Sequence, residues 1–72
     1  MISPAVQVWC RSESRYAERP TAFALEGERI AVARILAQWR EPSGPVFRVL
    51  GDDGSVYVLE YHEALAVWQL AR

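Results

Sequence analysis

Val46-Phe47-Arg48-Val49-Leu50 and Ser55-Val56-Tyr57-Val58-Leu59-Glu60-Tyr61 are two β-prone runs joined by Gly51-Asp52-Asp53-Gly54. Gly and Asp between two such runs form a hairpin signal. Alternation places Phe47 and Val49 on one face of the first run. Tyr57, Leu59 and Tyr61 share a face of the second, so the two sets form a cross-strand core. Gly54 is the expected residue with positive φ in the turn.

The rest of the chain must complete that core. With 72 residues there is room for one domain, here 1–72. A chain this short buries only about 60% of its unfolded surface. Its composition is 51% hydrophobic, with three Trp, three Tyr and two Phe, which is too apolar for a disordered chain. No apolar run reaches the roughly 18 residues of a membrane helix. Met1-Ile2-Ser3-Pro4 carries neither the charged nor the apolar region of a secretory signal. A single cysteine cannot make an internal disulfide, and together these features lead to the expectation of a cytoplasmic protein.

Pro4 to Cys10 alternates as a first strand, with proline at its start. Arg11 to Pro20 is polar and charged, lacks a period of two, and is expected to be a loop. Glu28 to Arg40 supports two readings. Val32, Ile35, Leu36 and Trp39 follow helical spacing, in a segment rich in Ala, Arg and Gln. Alternatively, Thr21–Leu25 pairs through Gly27 with a strand that begins at Arg29 and runs to Trp39. Glu41-Pro42-Ser43-Gly44-Pro45 is a firm stop. His62–Leu65 is a short connection, and Ala66–Arg72 alternates as a last strand.

Phe23, Gly27, Ile30 and Val32, then Ile35-Leu36 and Trp39-Arg40-Glu41, begin a spaced pattern of hydrophobic and turn residues. Phe47-Arg48-Val49, Asp53-Gly54, Val56-Tyr57, Leu59, Tyr61, Trp68 and Leu70 continue it. Over Pro20 to Arg72 this pattern resembles a bacterial family of small domains of unknown function. Members of that family occur alone and beside or fused to Y-family, translesion-type DNA polymerases. The chain departs from the family pattern at Leu25 and Ile30, where aromatic residues are expected, and in a short insertion before Phe47. The resemblance implies strands on both sides of Gly27 and an accessory role in DNA repair through protein contacts. The expected fold is therefore all-β: a small SH3-like barrel or curled antiparallel meander of about five or six strands. An α+β fold with a helix at about 28–40 is the alternative.

The candidate chemistry is sparse. Cys10 and His62 are the only residues of their kinds, and a thiol-dependent enzyme would need them together. A small core cysteine is the plainer reading. One His, one Cys and scattered carboxylates do not make a metal-ligand set, and no phosphate-binding glycine motif occurs. Asp52 and Asp53 are explained by turn preference. The expectation is thus a non-enzymatic module with no catalytic, metal or cofactor residues.

The net charge is −1 and all eight basic residues are Arg. Residues 1–40 hold six Arg against four acids, and residues 41–72 two Arg against five acids, giving +2 and −3. The interaction candidates are Trp39 with Arg40, together with Arg11, Arg15, Arg19 and Arg34. The expected partner is a protein or a second copy of the chain, met through an edge strand. Weak binding of single-stranded nucleic acid by the Arg residues and one or two aromatics is the alternative. Neither a membrane nor a small-molecule substrate is indicated.

Overall fold

Around Gly51–Gly54 the chain forms the expected hairpin. The structure, a computed structural model, describes residues 5–14 and 17–71. Arg15 therefore lies outside the described residues. Strands β1 (Ala5–Val6), β2 (Val8–Ser14), β3 (Ala17–Leu25) and β4 (Glu28–Glu41) come first. They are followed by β5 (Gly44–Gly51), β6 (Val56–His62) and β7 (Val67–Ala71). All seven belong to one antiparallel, curled sheet of order β1-β7-β6-β5-β4-β3-β2. The fold is all-β and barrel-like. There is no helix among the described residues, so the 28–40 helix is replaced by strand β4.

The reason that segment resembled a helix lies in its register. Val32 faces Gly51 and Arg34 faces Leu50, which leaves Ala33 as an extra residue. Ile35 faces Val49 and Ala37 faces Arg48, which leaves Leu36 extra as well. Each bulge shifts the side-chain phase by one. Ile30, Val32 and Ile35 consequently all meet the core, at spacings of two and then three. A bulged strand has in this way imitated the spacing of a helix.

Strands also replace the loop expected at Arg11–Pro20. Arg11 pairs with Arg19, Ser12 with Glu18, and Ser14 with Ala17. This part of β2 and β3 is a two-stranded arm, because β4 pairs with β3 only from Ala22 to Leu25. An arm with no third strand does not need one apolar face, so the sequence carries no alternation there. The strand count is seven rather than five or six because Gln7 divides the first strand. On one side of Gln7, Ala5 and Val6 pair with Gln69 and Trp68 of β7. On the other, Val8 and Trp9 pair with Phe23 and Ala22 of β3. The Gln7 carbonyl also accepts the Ala24 N–H at 2.9 Å. One short segment thus binds both ends of the meander and draws the sheet into its curl.

The concave face is the core. Phe23, Val49 and Leu59 are fully buried, with Phe47 and Ile30 beside them. Phe47 faces Leu59 and Val49 faces Tyr57, as the hairpin pattern predicts. The Tyr57 ring meets Phe23 edge-on, with centroids 4.8 Å apart. Trp68 bridges Phe47 at 5.9 Å and Tyr61 at 5.1 Å. Burial of each large side chain contributes about 1.5–3 kcal/mol, and the ring pairs somewhat more.

Two turns depend on glycine for different reasons. Gly54 has φ +86, as expected, and no atom would lie within 4 Å of an added Cβ. At Gly44, φ is +150 and a Cβ would stand 2.0 Å from the Tyr61 carbonyl oxygen. The expected outcome is that Gly54→Val lowers stability by roughly 1–2 kcal/mol, the cost of a left-handed side chain. Gly44→Ala adds a backbone collision and should cost more, despite being the smaller change. Urea denaturation of both variants checks this order; an equal or smaller loss for Gly44→Ala would mean that β5 does not press against Tyr61.

Candidate interaction cleft

The cleft originates where β3 and β4 part. Their ladder ends at the pair Ala22–Ala31. Thr21 is the extra residue of a bulge against β2, since Trp9 faces Ala22 and Cys10 faces Pro20. Its hydroxyl donates to the Trp9 carbonyl at 3.1 Å. Pro20 follows and offers no N–H, so the ladder has neither the register nor the donor to continue. On the other side Ala33 bulges, and from Val32 onward β4 pairs with β5 alone. An open cleft of about 550 Å³ lies between the β2–β3 arm and β4.

Arg11 and Arg19 line the arm side of this cleft, and Arg34 lines the β4 side. Three of the expected interaction residues therefore converge. Val32, Ile35 and Ala37 supply apolar surface, with Thr21 and Gln38 as neutral polar groups. No described residue lining the cleft is acidic or aromatic. Arg11 and Arg19 stand directly opposite each other in the arm. Like charges at such a cross-strand position are destabilising.

Trp39 and Arg40 are positioned elsewhere and serve different neighbours. Trp39 is opposite Val46, on the convex face, with 39% of its surface exposed. The Arg48 guanidinium lies 5.9 Å from the centre of its ring. Arg40 Nη2 is 2.6 Å from Glu63 Oε1, an ion pair that links β4 to the turn after β6. Both partners of that pair are exposed, so it contributes about 0–1 kcal/mol. Neither Trp39 nor Arg40 lines the cleft.

The other aromatics are largely used in packing. Trp9 carries the Arg29 guanidinium 4.8 Å from its ring centre, while Tyr57, Tyr61 and Trp68 belong to the ring cluster of the core face. Cys10 is exposed on β2, whereas His62 ends β6, opposite Val67. His62 Nε2 is 3.5 Å from Glu60 Oε1 and makes no hydrogen bond. Among the described residues no group of three or more His, Cys, Asp or Glu could hold a metal ion. No described helix is long and apolar enough to cross a membrane.

The aspartates of the hairpin turn do have structural work. Asp53 Oδ1 accepts the Ser55 N–H at 3.0 Å, and Oδ2 accepts the Tyr57 hydroxyl at 2.5 Å. The Tyr57 hydroxyl, and next the Ser55 amide, hold the Asp53 carboxyl below its usual value. The Asp52 N–H donates to the Ala31 carbonyl at 2.9 Å, which ties the turn to β4. The side-chain role of Asp53 was not apparent in the sequence, although an Asp two residues before a Ser and four before a Tyr is compatible with it.

No family model, curated protein or solved structure matches this chain.

A lowered carboxyl pKa has a definite consequence for stability. The favourable contribution of Asp53 is present above its unfolded pKa and is lost as pH falls through its folded value. Asp53→Asn retains an acceptor for Ser55 but does not titrate. The expected outcome is a shallower loss of stability for Asp53→Asn than for the parent as pH falls below about 4. Parallel acid limbs in thermal melts would mean that the carboxylate is not held by Tyr57.

Proposed function

We propose that this chain is a non-enzymatic protein-interaction module that acts by strand addition. Its docking edge is β4 from Ala33 to Gln38, where it faces the cleft. The observation that carries this reading is the one-sided pairing of β4: β5 covers one side from Val32 to Glu41, and β3 leaves the other after Ala31. An open strand edge offers backbone donors and acceptors to an extended segment. The walls of the cleft provide side-chain contacts that choose among such segments. The resemblance to a polymerase-associated family supports searching for the partner among cytoplasmic proteins of DNA repair and translesion synthesis.

Selection of displayed random peptides on the immobilised chain, followed by hydrogen exchange, tests the reading. Bound peptides should slow exchange of the backbone amides of residues 33–38, with smaller effects on β6 and β7. Protection centred on β6 or β7, or failure to select any peptide, would overturn it.

A further inference from the structure

The outer side of the β5–β6 hairpin carries a self-complementary pattern. Phe47 and Val49 of β5 turn inward, as do Tyr57 and Leu59 of β6. Val46, Arg48, Val58 and Glu60 alternate with them and therefore point outward. Across the ladder Val46 faces Glu60, and Arg48 faces Val58. Neighbouring strands lie about 5 Å apart and same-face residues about 7 Å, so the four side chains mark out a small rectangle. Valines occupy one diagonal and opposite charges the other. We propose that this convex patch is a contact between two copies of the chain, in which Arg48 of each copy meets Glu60 of the other.

Symmetry is the first argument. A twofold axis along the valine diagonal turns a second copy over and brings its Glu60 onto Arg48 of the first. The reciprocal pair forms in the same step, as a self-complementary twofold contact requires.

The second argument is that these charges do not serve each other within one chain. Diagonal cross-strand neighbours are about 7–8 Å apart, within reach of long side chains. Arg48 nevertheless leans away from β6, with its guanidinium 5.9 Å from the centre of the Trp39 ring on β4. No ion pair among the described residues includes Arg48. Glu60 has only the His62 imidazole, 3.5 Å away, as a charged neighbour within ion-pair distance.

The third argument is the surface around the charges. Trp39 and Val56 lie on the same convex side with 39% and 56% of their surface exposed, and Ala37, Val58 and Ala71 are half-buried there. Val46 points outward and is still only 3% exposed, so the middle of the patch is already packed in the free chain. Convex surfaces touch over a limited area, smaller than the roughly 800 Å² per partner of a standard stable interface. The dimer is therefore weak and forms at high concentration. It uses outward side chains and not the backbone edge of β4. Consequently it stands apart from strand addition, and where both hold, one dimer presents two docking edges.

Analytical ultracentrifugation of the full chain over a wide concentration range tests the proposal. The parent should pass from monomer to dimer, and added salt should favour the monomer. Arg48→Glu or Glu60→Arg alone sets like charges against each other at both symmetry-related positions, and should weaken the dimer by about tenfold or more. Mixing these two variants should restore association at about the parent's affinity, because each supplies the charge that the other lacks. Neither a folding defect nor repulsion within one chain would be relieved by mixing. The double variant Arg48→Glu with Glu60→Arg should dimerise like the parent.

A parent chain that stays monomeric throughout overturns the proposal, as does a dimer that neither reversal weakens. Single variants that associate no better when mixed would also refute it. A dimer weakened instead by Arg34→Glu, with slowed exchange of the amides of residues 33–38, would place the contact on the β4 edge and not on the convex face.

Discussion

The fold depends on a bend in one strand. β4 is fourteen residues long and serves two partners in succession, β3 over its first four residues and β5 thereafter. A flat strand of that length would hold both partners in one open sheet. The bulges at Ala33 and Leu36 add twist where the partners change. That twist turns the β2–β3 pair toward β7, and the segment from Ala5 to Trp9 completes the circuit by pairing with both. The small core follows from the curl. Phe23 on β3, Val49 on β5 and Leu59 on β6 reach a common interior only because the sheet wraps around them.

The same bend accounts for the cleft. β3 cannot follow β4 beyond Ala31, since Thr21 and Pro20 disrupt its ladder at the point where Ala33 bulges away. Beyond the divergence, β2 and β3 continue as an arm and β4 continues on β5. The interior of the curl is nearly complete in apolar terms, with no buried polar or charged residue among those described. The proposed recognition edge lies at the place where the sheet is incomplete. Structure and prospective function are separated by a single change of strand partner.

What the sequence disclosed follows from this division. The β5–β6 hairpin is regular, so the alternation of Phe47, Val49, Tyr57 and Leu59 could be read directly, and Gly54 marked its turn. β4 was ambiguous because a bulge is a local insertion without a residue signature of its own: Ala33 and Leu36 are ordinary strand or helix residues. The arm was obscured for the opposite reason. With no third strand there, the sequence has no need to alternate apolar and polar residues, and it does not. Arg11, Arg19 and Arg34 stood out as interaction candidates from charge alone, but their convergence depends on the β2–β3 register and on the bend of β4. Trp39 and Arg40 looked like a unit because they are adjacent. Adjacent strand residues point to opposite faces, and one meets Arg48 while the other meets Glu63.

The placement of arginine bears on how such a cleft is compatible with a stable fold. Arg11 and Arg19 are exposed on a two-stranded arm. Like charges opposite each other are unfavourable, but between exposed groups the high dielectric of water keeps that cost modest. Buried in the curled interior, the same pair would oppose folding strongly. The arm therefore allows like charges to be kept close at low cost to the core. In the proposed strand addition, an extended segment would displace water from the cleft, and charges there would interact more strongly with those of that segment. Selectivity would then arise at the moment of docking and not in the free protein. A separate arm is what makes that possible, because it holds the charges beside an open strand edge and outside the packing on which stability rests.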